Sequence, residues 1–335
     1  MTTSDMTGHR VVVVGGAGYI GSVLVGRLLD AGAHVTVFDQ LVYDNGFALH
    51  HLLDHDRLTV VRGDLRDTEE LGRTAAGADD VVLLASLVGD PVCRAYRELA
   101  AQVNRDATIR AIDSLGPLGV ARFVFTSTCS NYGVHDPDTP ATENSVLNPQ
   151  SLYARTKIDV EEHVLAGTGD VAGTVLRLAT AYGMSPRMRF DLTVSQFARA
   201  LASDESLLVY DADTWRPYCH VRDISRAIMQ VLLAPRQDVD GEVFNVGGNS
   251  QQFTKRMIVE ELRAQLPEAA VEYRAGDTDP RNYRVCFDKI ADRLRFAPEH
   301  TVKESLNAVV AAVRAGVFPP AEGPRYGNSE VRHLG

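Results

Sequence analysis

Val11–Gly21 reads VVVVGGAGYIG. Four consecutive valines have the unbroken β-branched character of a strand buried on both faces, and Gly15, Gly18 and Gly21 follow at three-residue steps where the pattern turns helical. Each glycine has a task in a strand–turn–helix that holds a dinucleotide. Gly15 permits the tight turn, Gly18 lets the backbone approach a pyrophosphate, and Gly21 lets helix and strand pack closely. Free amides at the helix start then face the phosphates, where the helix dipole favours negative charge. Glycines also end strands for structural reasons alone, so the context decides. The next apparent strand, Val35 to Phe38, runs into Asp39, twenty-four residues after Gly15, close to the spacing expected of a carboxylate that hydrogen-bonds an adenosine ribose. That carboxylate would repel a 2′-phosphate and no arginine follows at once, so NAD is expected over NADP. The competing reading of Asp39 is a solvated acid at a strand end.

Outward from this motif, short β-branched runs alternate with amphipathic stretches. Strands are expected at Arg10 to Val14, Val35 to Phe38, Leu58 to Arg62, Val81 to Leu84, Arg122 to Thr126 and Thr174 to Leu178. Helical spacing fills the intervals at Ser22 to Asp30, Ala100 to Ser114 and Leu152 to Leu165. The alternation predicts an α/β fold, a Rossmann-type doubly wound parallel sheet. After Gly183 the rhythm breaks into an arginine-containing loop, SPRMRF, and a helix near Leu192 to Ala202. A further helix, Asp223 to Leu233, and a strand, Glu242 to Val246, return the chain to the sheet. The expected division is a NAD-binding domain of residues 1–183 plus 217–250 and a smaller substrate-binding domain of residues 184–216 plus 251–335. The Gly/Pro-rich, charged tail from Pro319 is expected to be loosely held.

The chain has 335 residues, 45% hydrophobic and 23% charged, ordinary for a soluble globular protein. With 34 basic against 44 acidic side chains its formal charge is −10, which disfavours phosphate backbones and anionic lipid as partners. No nucleic acid and no membrane is expected, whereas a small anionic ligand held by a few inward-facing arginines is compatible. Cys93, Cys129, Cys219 and Cys286 form no CxxC pair, so neither a disulfide framework nor a zinc knuckle is written here. No signal-peptide core opens the chain and no apolar run nears the ~20 residues of a membrane span, so a cytoplasmic location is expected. His51 and His55 have the i, i+4 spacing of a helical metal pair, but there is no HExxH and an acidic, His-rich surface is the simpler account; no metal is expected.

The second strong signal is YARTK, in which Tyr153 and Lys157 stand four apart and share one helix face. A tyrosine ionises near pH ~10, so a base near neutrality must be helped by a fixed ammonium and by the positive ring of an oxidised nicotinamide. Upstream, Phe123–Gly133 reads FVFTSTCSNYG, an apolar strand emerging into hydroxyls that would point into the ligand crevice.

In combination these motifs resemble the extended short-chain dehydrogenase/reductases that act on nucleotide sugars, a family of NAD-dependent epimerases, dehydratases and decarboxylases. The resemblance runs from about Arg10 to Phe296. It implies that Gly15, Gly18, Tyr19, Ile20 and Gly21 form the cofactor loop, with Asp39 and Gln40 at the ribose and Asp64 and Leu65 at the adenine. Leu84, Ala85 and Ser86 fall on the nicotinamide side, and Asn104, Thr126, Tyr153 and Lys157 complete the NAD site. It makes Thr128 the catalytic hydroxyl, Tyr153 the acid/base and Lys157 its partner. For the substrate it nominates Val88, Cys129, Ser130, Thr180, Arg189, Arg216, Arg274 and Arg281, with Arg216 and Arg274 on the diphosphate. Arg187 and Arg284 could also face the substrate, a surface position being the alternative for each.

The departures bear on the reaction. The dehydratases of this family carry Asp-Glu directly after the catalytic Thr, where this chain has Cys129 and Ser130. Ordinary dehydration is therefore disfavoured. Cys129 either fills space beside the sugar or, with a tuned thiol, acts as an acid. Thr180 replaces an Asn that many relatives place near the substrate phosphates. The expected activity is an NAD-dependent epimerase that inverts C4 of a nucleotide-diphosphate hexose or heptose through a transient 4-keto sugar. The alternatives are a 4-ketoreductase, an atypical dehydratase and, from another class, a non-catalytic NAD-binding sensor. The resemblance also implies a homodimer joined through helices at about Ala95 to Ser114 and Leu152 to Leu165.

Overall fold

The computed structural model describes residues 5–276, 279–318, 324–328 and 330–332. β1 (Arg10–Val14), β2 (His34–Asp39), β3 (Leu58–Arg62), β4 (Asp80–Leu83), β5 (Arg122–Thr128), β6 (Ala172–Leu178) and β10 (Glu242–Val246) form one sheet. Its order is β10-β6-β5-β4-β1-β2-β3 and every pair is parallel. The strand order reverses at β1, between β2 and β4, which opens a crevice at the carboxyl ends of the strands.

The valine run explains why β1 is central. Val11 and Val13 pack into an apolar cluster with α1 (Gly21–Asp30) and α8 (Val221–Leu233), whereas Val12 and Val14 pack with α2 (Thr68–Ala75), α5 (Thr108–Leu115) and α6 (Leu152–Leu165). Alternate side chains of one strand thus feed two helical layers, and none of the four is more than 2% exposed.

The helix expected from Ala100 to Ser114 is interrupted. α4 (Arg97–Ala101) and α5 are joined by a wider π turn over Gln102–Ala107. That turn carries Asn104, whose amide accepts from the Leu87 N–H at 2.8 Å and donates to the Leu87 carbonyl at 3.0 Å, pinning the segment that follows β4. α6 coincides with its expected limits because Ser151 caps it, accepting from the Ala154 N–H.

Two small sheets stand apart from the main one. β7 (Thr180–Tyr182), β9 (Trp215–His220) and β11 (Gln252–Thr254) form the first, and β8 (Leu207–Tyr210) and β12 (Val271–Arg274) the second. They share an apolar cluster with α7 (Thr193–Ala202) and the helices Lys255–Arg263 and Val302–Arg314, including Phe197, Leu201, Ile258, Leu262, Leu306 and Val309. β9 runs across the expected boundary at residue 217, pairing with β7 on the NAD-binding side and with β11 on the substrate-binding side.

The described part of the tail is not loose. The Arg332 N–H donates to the Val42 carbonyl at 2.7 Å, the Tyr326 carbonyl accepts from the Phe190 N–H at 2.7 Å, and Val331 is 9% exposed. Its backbone groups and one apolar side chain are taken up by the walls of the crevice, which local composition could not show. Residues 319–323 lie outside the described residues.

Candidate active site

The carboxyl ends of the main sheet open into a cleft of about 920 Å³. Gly15 lies at its floor with φ +89°, and a Cβ there would come within 2.6 Å of the Ala85 amide nitrogen. Gly21 abuts the Gly15 carbonyl, so a side chain would push helix α1 off the turn. At Gly18 a Cβ would touch only the Gly15 carbonyl oxygen, at 3.2 Å, leaving the cleft side open. The loop is held from β2: the Asp39 carboxylate accepts from the Ala17 N–H at 3.0 Å and the Leu41 N–H at 2.8 Å, while Asn45 donates to the Ala17 carbonyl at 2.9 Å. Burial pushes the Asp39 carboxyl up, against these hydrogen bonds. No side chain caps α1 and no acid occupies its first turn, so its positive end is left for a ligand.

On the opposite wall β5 delivers Thr128, 9% exposed, whose oxygen accepts from the Ser130 N–H at 3.1 Å. α6 presents Tyr153 and Lys157 on its cleft face. The Lys157 ammonium donates to the Thr126 carbonyl at 2.9 Å and lies 4.7 Å from the Phe125 ring centroid and 5.8 Å from that of Tyr153. Burial pushes the Tyr153 phenol up, and burial pulls Lys157 down to about 8. Between about 8 and its ordinary value of 10.5 the unfolded chain therefore binds more protons than the folded one, and stability rises with pH through that interval. Below it the buried charge carries its full cost. Lys157→Met is expected to raise the stability of the NAD-free protein at pH 7 by about 1–2 kcal/mol, after the lost hydrogen bond is subtracted. Turnover should fall in the same variant, and chemical denaturation at pH 7 and pH 10.5 should show the stability gap closing.

Beneath Thr128 lies a buried polar network that sequence reading missed. Arg177 of β6, 4% exposed, forks onto Glu161 of α6, 1% exposed, with Nη2 2.7 Å from Oε2. The same carboxylate accepts from the Ser127 hydroxyl and from the Asn131 amide at 2.7 Å. Arg177 also donates to Tyr132 Oη at 3.1 Å, whose hydroxyl donates to Asn245 at 2.7 Å. The network thus grips both sides of the Thr128–Ser130 turn.

The chain was compared with known proteins. The model of the NAD dependent epimerase/dehydratase family matches residues 11–247. The chain belongs to this family. It is 32% identical to a dTDP-glucose 4,6-dehydratase of Streptomyces griseus, over 91% of this chain and 94% of that protein. It is 28% identical to a UDP-glucose 4-epimerase of Corynebacterium glutamicum, over 87% and 92%. Among solved structures, the dTDP-glucose 4,6-dehydratase DesIV of Streptomyces venezuelae, which holds NAD, superposes with TM-score 0.83 at 27% identity and covers 93% of this chain and 99% of that one. The protein is accordingly a nucleotide-sugar epimerase/dehydratase with NAD as cofactor.

The cleft fits that cofactor. Tyr43 Oη, Ser86 Oγ, Asp90 Oδ1, Arg187 Nε and Asn328 Oδ1 line it as buried polar atoms with no partner among the described residues, as expected of walls that meet a polar ligand. Tyr19, Ile20, Gln40, Asp64, Leu65, Leu84, Ala85 and Thr126 also line it. Asp64 is already engaged by Arg66, at 2.5 Å, and Gln40, at 2.8 Å. Asn104 is behind the wall and acts through Leu87.

Of the residues nominated for the substrate, Val88, Ser130, Thr180, Arg189, Arg216 and Arg281 line the cleft. Cys129 does not: it is 1% exposed, its thiol donates to the Arg177 carbonyl at 3.2 Å, and burial pushes its pKa up. Its side chain points into the core, opposite to Thr128, and cannot serve as a substrate acid. Arg274 lies on the exposed strand β12, paired with Glu272 at 2.7 Å and outside the cleft lining. Arg216 and Arg281 clasp Asp279, Arg281 at 2.7 Å and Arg216 at 3.0 Å. Against the upward push of burial, these two arginines hold the Asp279 carboxyl far below the usual carboxylate range. Among the described residues no cluster of three or more His, Cys, Asp or Glu side chains could hold a metal ion, and no helix is long and apolar enough to cross a membrane.

Proposed function

We propose that this enzyme inverts C4 of a nucleotide-diphosphate hexose or heptose through a transient 4-keto sugar. The observation that carries the reading is the pair of residues after Thr128: Cys129 is locked in the core and Ser130 faces the cleft, so neither places a carboxylate beside the sugar for eliminating water. Thr128 and Tyr153 remain to hold the 4-hydroxyl, and Tyr153 removes its proton as a phenolate steadied by Lys157. NAD, when bound, takes up a hydride and gives it back, so no net oxidation is required. The same phenol returns the proton after the ketone has presented its other face. Arg189, Arg216 and Arg281 supply the positive wall for the substrate diphosphate, Arg216 and Arg281 by exchanging Asp279 for phosphate oxygens.

A second reading, elimination of water, draws on Asp90, whose Oδ1 lines the cleft without a partner while its other oxygen lies 3.3 Å from Arg281. A panel of nucleotide sugars incubated with the NAD-loaded enzyme in D2O separates the readings. The epimerase yields the C4 epimer of unchanged mass, with no deuterium at C5 and no net change in NADH. Loss of water with deuterium at C5 identifies the dehydratase, and stoichiometric consumption of NADH by a ketosugar identifies a reductase.

A further inference from the structure

Arg187 is the largest of the fully buried side chains, 1% exposed, and it lines the cleft. Among the described residues no carboxylate lies within ion-pairing distance of it. Its Nη2 donates to the Gly327 carbonyl at 2.8 Å, its guanidinium carbon lies 5.1 Å from the Tyr43 ring centroid, and its Nε has no partner. An unpaired charge in such a place is costly, and here burial and the neighbouring Arg189 pull the guanidinium down to about 10.

The position of that charge is set by two attachments. Residues 183–185 are fastened to the glycine loop: Tyr19 Oη donates to the Gly183 carbonyl at 2.6 Å, Ser185 Oγ donates to the Tyr19 carbonyl at 2.7 Å, and the Ser22 and Ser185 hydroxyls lie 3.1 Å apart. The Arg187 N–H donates back to Ser185 Oγ at 3.2 Å, which ties the arginine to the same loop. From the other side the C-terminal segment crosses the cleft. The Asn328 N–H donates to Asp191 at 3.2 Å, Asn328 Nδ2 donates to the Val88 carbonyl at 3.4 Å, and Arg332 reaches the Val42 carbonyl and Asp44. Gly327, which orients Arg187, is part of that crossing.

We propose that Arg187 is the cation that meets the cofactor diphosphate, supplied from outside the glycine-loop unit and held in place by the C-terminal segment. The glycine loop offers the diphosphate amides and a helix dipole, and Asp39, whose carboxylate holds that loop, adds negative charge to the same end of the cleft. A buried guanidinium beside the loop, unpaired in the chain alone, balances both. The cost it imposes on the NAD-free protein is recovered when the anion arrives.

This assignment predicts opposite signs for two measurements. Arg187→Met removes the charge while keeping most of the volume. Its expected results are NAD binding weakened by about 10- to 100-fold in calorimetry, a shallower dependence of that affinity on salt, and an NAD-free melting temperature equal to or above that of the parent. Arg187→Lys retains the charge and should recover part of the affinity. A melting temperature that falls in the NAD-free Met variant, or NAD affinity within twofold of the parent, would show a structural strut and overturn the assignment.

Discussion

Tyr153→Phe should leave a folded protein that still binds NAD and turns over about 10³-fold more slowly. The size follows from losing the group that takes and returns the sugar proton, an effect of roughly 10²–10⁴ for a positioned acid/base. Stability should barely move. Tyr153 packs against the apolar cluster that includes Leu87, Val92 and Cys93, a packing that phenylalanine keeps, and it lines the cleft. Melting temperature with and without NAD, together with NMR-followed turnover, checks each part. Full activity in the variant would remove Tyr153 from the chemistry. Unchanged biological activity with abolished turnover would instead point to an NAD-binding sensor.

The second large effect concerns stability. Glu161→Gln should lower the unfolding free energy by about 3–5 kcal/mol, because it leaves the Arg177 guanidinium buried without its counter-charge. Urea unfolding should show a lower midpoint at unchanged slope. Turnover should fall as well, since Ser127 and Asn131, which share the Glu161 carboxylate, flank the Thr128 turn. Replacing both partners, Glu161→Leu with Arg177→Met, should regain part of the stability, because the cost lies in the orphaned charge more than in the absent pair. A loss below about 1 kcal/mol in the single variant would show that water reaches the network and screens it.

Which parts of this site were readable in the sequence follows from the range over which each cue acts. The glycine turn, Asp39 at the end of β2 and the Tyr153–Lys157 pair rest on strand period, helix period and backbone sterics, all decided within about a dozen residues. They emerge in the structure on the walls of one cleft. The π turn at Gln102–Ala107 escaped because the apolar spacing around it remains helical, and what widens it is the hold of Asn104 on a segment seventeen residues away.

Cys129 and Arg274 show the limit of position-by-position transfer. Both stand where a motif nominates a ligand, yet one turns into the core and the other pairs with Glu272 on an exposed strand. The Glu161–Arg177 pair depends on register. Ser127 of β5 lies opposite Arg177 of β6, so both project to the face that α6 covers, and no local pattern encodes which residues become opposite. Arg187 depends on a contact with Gly327, 140 residues along the chain. Local sequence thus determined the sheet, the glycine turn and the helix that carries Tyr153 and Lys157, because the backbone preferences and periods involved are intrinsic to short segments. Only the tertiary structure decided which charges are paired, which thiol is sealed and what closes over the cleft, because those outcomes depend on desolvation and on partners brought together from distant parts of the chain.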